Sequence, residues 1–599
     1  MFMSVSLKSS GGLPTWDLSD LYAGPTDPAL DADFAWARGQ AEALVAEAEG
    51  KLAGIASPDF AAVLKRYEAL DERLGKIGSY AQLLYAQDMS NPDVGRFYQS
   101  VQERITEIAS RVLFFGLELN QLDEAVVEGL LTDPAAARYR PWIAATRAFR
   151  PHQLPDAQEK LLLEKSLTGR SAWVRLFDET MAALRIPLDG RELTSTEVLA
   201  LMVSPDRKIR QDATQAFGKA LGEQTRVFSL ITNTLAKDKE VEDRWRKYPR
   251  PISSRNLGNR VEDEVVAALI SAVRAAYPRL SHRYYKLKAG WLGLKQLEAW
   301  DRNAPLPGAP DRQIPWSEAT QTVLSAYTQF SPDLGKVAEQ FFEKPWIDAP
   351  VRPGKAPGAF AHPTVPSAHP YLLVNYQGKV RDVMTLAHEL GHGVHQVLAG
   401  REQGHLLADT PLTLAETASV FGEMLTFRAL LAAEKDPAQR RFLLASKVED
   451  MLNTVVRQIA LHSFEEAVHD RRRDGELLPD DLSEIWLQTQ RDCLGDAVRF
   501  DDSYKNFWAY IPHFIHSPFY VYAYAYGDCL VNSLYAVYAK AEDGFAERYL
   551  TLLKAGGSQH HSALLAPFGL DARDPAFWDR GLQMIADFID ELEGLPAHV

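Results

Sequence analysis

Val380-Arg381-Asp382-Val383-Met384-Thr385-Leu386-Ala387-His388-Glu389-Leu390-Gly391-His392-Gly393-Val394-His395-Gln396-Val397-Leu398-Ala399-Gly400 is the most informative stretch of this 599-residue chain. Val380, Val383, Met384, Ala387, Leu390, Val394 and Val397 recur at steps of three and four, which predicts one apolar face of an α-helix. Gly378 opens the segment and Gly400 is expected to close it. Residues one turn apart stack on the same side of a helix, so His388 and His392 can converge on one ion. Glu389, one position on, is offset from that pair and is placed to work on a water held by the ion. Neutral imidazole suits zinc, and zinc lowers the pKa of bound water towards neutrality. His388-Glu389-Leu390-Gly391-His392 therefore reads as a zinc-peptidase motif, with Glu389 as the general base.

A catalytic zinc takes three protein ligands and leaves one position for water. The downstream glycine and further histidine that would supply a third ligand in some such motifs are absent here. The next segment, Ala408 to Glu423, carries Glu416 in a small and apolar patch, where a carboxylate is costly unless it meets a cation. Glu416 is taken as the third ligand, and Glu423, two turns on, as a group orienting a ligand histidine. His395 also follows the motif by a turn. A third ligand from the same helix would strain the geometry, so His395 is expected to pack or hydrogen-bond beside the site.

Composition fits this reading without adding to it. The chain is 46% hydrophobic and 24% charged, an ordinary globular balance, and its net charge of -15 argues against nucleic-acid binding. Cys493 and Cys529 are the whole cysteine complement, so no disulfide framework is expected and a reducing compartment is favoured. Met1 to Lys8 lacks a secretory pattern. Phe519 to Ala539 is largely apolar, but its tyrosines, Asp528 and Asn532 suit a buried helix better than a bilayer span. The expectation is a cytoplasmic protein without membrane or nucleic-acid partners; the sequence leaves its oligomeric state open.

Elsewhere one signature recurs, a capping residue followed by proline: Asp27-Pro28, Ser57-Pro58, Asp133-Pro134, Ser204-Pro205, Ser331-Pro332, Asp436-Pro437, Ser517-Pro518 and Asp574-Pro575. Ser or Asp satisfies free amides at a helix start, and proline fits the first helical position. The chain is therefore expected to be mostly α. Proline- and glycine-rich ground lies at 302–310 and at 348–370, the latter holding Gly358 and Phe360. Tyr371 to Gln377 then reads as a strand leading into the metal helix. Its edge either pairs with an extended peptide or belongs to a short structural hairpin. Ile186-Pro187-Leu188-Asp189-Gly190 suggests a boundary between an N-terminal helical region, 1–190, and a catalytic region, 191–599.

The motif run His388 to Gln396, followed at the right distance by Ala415-Glu416-Thr417-Ala418-Ser419, resembles the thimet oligopeptidase family. Trp16-Asp17-Leu18-Ser19-Asp20-Leu21-Tyr22 and Ser517-Pro518-Phe519-Tyr520-Val521-Tyr522 resemble its bacterial oligoendopeptidase F branch. The resemblance implies one zinc per chain held by His388, His392 and Glu416. It also implies a helical fold of two lobes flanking a deep channel, with a small sheet beside the motif helix and oligopeptides as substrates. By the same resemblance His513 and Tyr520 contact the transition state and Tyr524 contacts substrate; Gly358 and Phe360, in the loop before the motif helix, are also expected to contact substrate. A tyrosine hydroxyl or a histidine can hydrogen-bond a developing oxyanion. Ser517 is expected to cap a helix from Pro518 that carries Tyr520 and Tyr524 on one face, Tyr522 and Tyr526 on another. At least two of these four are expected in the core or channel lining. The reading is a zinc endopeptidase of short peptides. A carboxypeptidase or dipeptidyl carboxypeptidase on the same scaffold is the nearest alternative, and a non-catalytic peptide-binding protein a further one.

Overall fold

In a computed structural model the chain is described at residues 12–166, 168–308, 313–356, 358–540 and 543–595. The start of the chain at Met1 to Lys8, the loop residues Ala309 and Pro310, and Pro357 lie outside the described residues. The chain forms two compact units. The first takes Met1–Arg150, Arg312–Ala432 and Ala541–Gly569; the second takes Pro151–Asp311, Ala433–Lys540 and Leu570–Val599.

Helices dominate both units, and local chemistry sets many of their starts. Asp27, Asp133, Ser331, Asp436 and Asp574 each accept a backbone amide at the head of a helix opened by proline. Such a cap stabilises its helix by about 1 kcal/mol. Three of the expected caps act otherwise. Ser57 is already helical, its hydroxyl donating to the Leu130 carbonyl. After Ser204-Pro205 the helix begins only at Arg207, because Asp206 takes the amides of Lys208 and Ile209. After Ser517-Pro518 the helix begins at Tyr522.

Strand is confined, among the described residues, to three small sheets. In the second unit, β1 (Ile186–Leu188) pairs antiparallel with β2 (Arg191–Leu193), and β3 (Leu297–Glu298) pairs parallel with β7 (Val498–Arg499). Asp189 and Gly190, both at positive φ, make the β1–β2 turn. In the first unit, β4 (Ile347–Asp348), β5 (Phe360–His362) and β6 (Tyr371–Leu373) form one sheet in the order β4-β6-β5. The strand expected at Tyr371 is thus the middle one, paired on both sides, and is not an edge open to a peptide. The outer strands are β4 and β5.

The motif helix, Val380–Gln403, lies against this sheet: Gln396 donates to the Ala361 carbonyl at 3.3 Å. Asp382 accepts the amides of Gln377 and Lys379 at 2.8 and 3.0 Å, which fixes the helix start. Val383, Met384, Ala387, Leu390, Val394 and Val397 are all buried, as their spacing predicts. The helix runs a turn past Gly400, which is buried; Gly404, at φ +73°, ends it instead. The N-terminal lead braces the sheet from outside. Trp16 packs edge-on to Tyr371 and beside Phe360, the Asp17 amide donates to Pro345, and the Ala349 amide donates to Pro14.

In the second unit, the helix Tyr522–Tyr538 lies on the helix Pro575–Gly594 so closely that a Cβ on Gly581 would meet the Cys529 carbonyl oxygen at 2.4 Å. Fourteen of its seventeen residues are buried, which fits the buried-helix reading. No helix among the described residues is long and apolar enough to cross a membrane.

Candidate active site

Helical spacing brings the two imidazoles of the motif to ring centroids 5.0 Å apart at 79°. The third group arrives on a separate segment. Leu412–Ala415 is one short helix, Thr417–Ala433 another, and Glu416 sits at the joint. That break turns its carboxylate towards the motif helix: Glu416 Oε2 lies 3.3 Å from His388 Nε2 and 3.3 Å from His392 Nε2. The Ser419 hydroxyl donates to the same oxygen at 2.6 Å and fixes its direction. On the far side of the His388 ring, Nδ1 meets Glu423 Oε2 at 3.2 Å.

These spacings fit zinc. Tetrahedral bonds of about 2.0–2.1 Å imply ligand atoms about 3.3 Å apart. Two imidazoles and a carboxylate are also a donor set that zinc favours. The three candidate ligand atoms all lie within 4.8 Å of one another. Charge tells the same story. Burial works against the ionised form of Glu416, yet its bonds to His388 and His392 hold the carboxyl well below its usual range. Burial likewise disfavours a charged His388, but Glu416 and Glu423 outweigh it and raise its proton affinity. The pocket is built to keep a positive charge.

Glu389 is 7% exposed. Burial raises its pKa, partly offset by His388 and His392 and by the Ala361 amide, which hydrogen-bonds its carboxylate. So β5 presents its Ala361 amide to Glu389 and its carbonyl to Gln396. His395 is buried and lies 3.4 Å from the Thr410 hydroxyl, with further hydrogen bonds to the backbone of Ala415 and Leu553. Burial pushes it down to about 4, so it is neutral and braces the residue before Glu416. Phe360 is half-buried, and Gly358, exposed at φ +80°, is tethered through its carbonyl to the Asn375 amide at 2.8 Å.

Two close approaches make the arrangement possible, and neither is visible in the motif. A Cβ on Gly391 would stand 2.4 Å from the Ala418 carbonyl oxygen and 2.6 Å from Ser419 Cα. Only glycine lets the Glu416–Ser419 segment come this near the motif helix. Gly422 does the same for Tyr327, whose hydroxyl donates to the Ala387 carbonyl at 2.7 Å. Gly391→Ala is therefore expected to cost about 1–3 kcal/mol in stability. It should also weaken zinc binding at least about tenfold, by displacing Glu416 without touching a ligand. Chelator competition and thermal unfolding read both effects; wild-type zinc affinity in the variant would refute the role given to Gly391.

The remaining expected residues lie in the second unit. His513 Nε2 is 3.4 Å from the Tyr524 hydroxyl, and the rings of His513, Tyr520 and Tyr524 lie 5.2 to 6.1 Å apart. Tyr522 and Tyr526 are fully buried. Tyr522 accepts from the Asn259 side-chain amide at 2.8 Å, and Tyr526 packs on Trp578. The four tyrosines thus divide as their spacing suggests, two into the core and two beside His513. Tyr520, however, stands ahead of the helix rather than in it. Phe519 is left-handed, at φ +57°, and a right-handed helix cannot pass through it.

Comparison with known proteins finds relatives over most of the chain. A family model described as Peptidase family M3 matches residues 200–584, and one described as Oligopeptidase F matches residues 118–186. Oligopeptidase PepF of Bacillus subtilis is 27% identical over 594 residues, covering 97% of this chain and 87% of that protein. Group B oligopeptidase PepB of Streptococcus agalactiae is 27% identical over 536 residues, covering 88% of each. The crystal structure of oligoendopeptidase-F from Enterococcus faecium superposes with a TM-score of 0.71 at 22% identity, over 94% of this chain and 98% of that one.

Proposed function

This chain belongs to peptidase family M3 and is a metallopeptidase, and from that premise we propose that it is a zinc-dependent endopeptidase of short, unstructured peptides. The observation that carries the proposal is the meeting of His388, His392 and Glu416 at 3.3 Å beside the buried Glu389. These three residues would hold one zinc per chain. Bound there, zinc would polarise the scissile carbonyl and bring the pKa of a water towards neutrality.

Everything else falls to the protein's own groups. Glu389 takes the proton of the attacking water and delivers it to the leaving amine. The Ala361 amide holds its carboxylate in place for both transfers. Glu423 fixes the His388 ring through Nδ1, so that Nε2 is the ligand atom. His513 and Tyr520 steady the oxyanion, and Tyr524 bears on substrate through His513. Gly358 and Phe360 are assigned to the peptide, since the Asn375 tether fixes this loop. The region from residue 191 onward carries this chemistry, in a cytoplasmic protein.

Mass spectrometry of products from a graded set of defined peptides and one folded protein, with and without chelator, tests the proposal. Internal cuts in the short peptides are expected, abolished by chelator, with the folded protein intact. Stepwise loss of C-terminal residues would instead identify a carboxypeptidase. Absence of any cleavage by fully zinc-loaded protein would identify a peptide-binding protein.

A further inference from the structure

The least expected backbone in the second unit is at Phe519. A bulky residue with a Cβ at φ +57° is rare, and such conformations persist only where the surroundings enforce them. Here the enforcement is visible. Glu465, 2% exposed on the helix Val456–Arg472, accepts the Phe519 amide at 2.9 Å through Oε1. That amide is thereby taken from the Ser517 hydroxyl, which would accept it at a helix start made by Ser517-Pro518. The Phe519 ring, 1% exposed, lies between two histidines of the same helix, with ring centroids 5.8 Å from His462 and 4.9 Å from His469. Helical spacing puts His462, Glu465 and His469 on one stripe, under the turn.

The stripe is polar but carries little charge. Burial pushes His462 down to about 4 and His469 to about 3, so both rings are neutral. Burial also raises Glu465 to about 8, against the lowering effects of the Phe519 amide, Arg255 and Lys239. Glu465 Oε2 is buried without a hydrogen-bond partner and the residue lines a cavity of about 400 Å³. A buried carboxyl with half its capacity unused is an expensive device for holding one amide. What the amide controls is the next residue. Tyr520 leaves the turn with its own amide donating to the Ser517 carbonyl at 3.1 Å. Its ring then reaches His513 and Tyr524. Arg255 completes the frame, donating to the Pro518 carbonyl at 3.2 Å below the Tyr520 ring.

We propose that Glu465 is a positioning residue for Tyr520, its buried carboxyl holding the Phe519 amide in the left-handed turn that delivers the tyrosine to His513 and Tyr524. The proposal rests on the reading of Tyr520 as an oxyanion contact. It assigns the work to an acceptor at a set reach, not to a negative charge. Glu465→Gln keeps that acceptor and resembles the neutral carboxyl. Glu465→Met has similar length and no acceptor at that point. Glu465→Asp keeps the acid but withdraws it by one carbon.

The experiment measures kcat and KM of the zinc-loaded full chain on an internally quenched peptide for these three variants, for Tyr520→Phe and for Tyr520→Phe with Glu465→Met. Glu465→Met and Glu465→Asp are expected to lose about tenfold to a hundredfold in kcat, the scale of a small misplacement of a catalytic group. KM and zinc content should stay near wild type, and Glu465→Gln should stay within about threefold of wild type in kcat. Added to Tyr520→Phe, Glu465→Met should lower kcat little further, because both remove one contribution. Should Glu465→Met not fold, the contrast of Asp with Gln decides alone. Wild-type kcat in Glu465→Asp, equal loss in Glu465→Gln, or a full further loss in the double variant would each overturn the proposal. Wild-type kcat in Tyr520→Phe would remove the premise about Tyr520 and the proposal with it. That result is distinct from any outcome at Glu465.

Discussion

Glu389→Gln is expected to abolish turnover while leaving the metal in place. The side chain is buried beside His388 and His392 and holds the Ala361 amide, and glutamine fills the same volume with the same acceptor for that amide. What it lacks is a basic oxygen. General-base contributions run to about 10²–10⁴ in rate. A role in both proton transfers puts the expected loss in kcat/KM at about a thousandfold or more, about 4 kcal/mol of transition-state stabilisation. The three expected ligands are untouched, so zinc should remain at one per chain by elemental analysis, and KM should change little. Residual activity above about a tenth of wild type would remove Glu389 from the role of base. Loss of zinc along with activity would show that its part is in holding the site together.

What the sequence made legible is what helical geometry dictates locally. His388 and His392 four apart on an amphipathic stretch must share a side, and they do. Asp27, Asp133, Ser331, Asp436 and Asp574 cap helices because cap and amide lie within three residues of each other. Glu416 stood out because a carboxylate among Leu412, Leu414, Ala415 and Ala418 needs a cation. Most of the failures share one physical origin, a distant partner. Ser517-Pro518 carries the local pattern of a helix start, but Glu465, 54 positions earlier, takes the Phe519 amide and delays the helix to Tyr522. Ser204-Pro205 is the local exception, losing the helix start to its neighbour Asp206. The strand at Tyr371 was visible in composition, but its place between β4 and β5 was not, since strands of two or three residues take their order from pairing across the sheet. Gly391 looked like filler inside a motif. Its meaning lies in the backbone of Ala418 and Ser419, which only the fold brings against it.

Glu416→Ala should remove zinc, and the loss should be visible in stability as well as in catalysis. The carboxylate supplies the one anionic donor at the meeting point of the two Nε2 atoms, and Ser419 spends its hydroxyl on aiming it. Glu423, by contrast, meets His388 at Nδ1, the ring nitrogen turned away from Glu416. Removing an orienting partner of this kind typically weakens a metal site about 10–100-fold, and removing a ligand should exceed that. Competition with a chelator should therefore rank wild type, then Glu423→Gln, then Glu416→Ala, with more than about a hundredfold between first and last. Because zinc binds the folded site and not the unfolded chain in the same way, its binding energy appears as resistance to unfolding. At zinc a thousandfold above Kd that amounts to about 4.1 kcal/mol. Wild-type protein should melt at a clearly higher temperature with zinc than with chelator. Glu416→Ala should melt at one temperature under both conditions, close to that of the wild type in chelator. Its thermal curve separates lost metal from damaged fold: a variant melting well below chelated wild type would mean that Glu416 supports the helix joint itself. Wild-type zinc affinity in Glu416→Ala would mean that the third ligand comes from another residue.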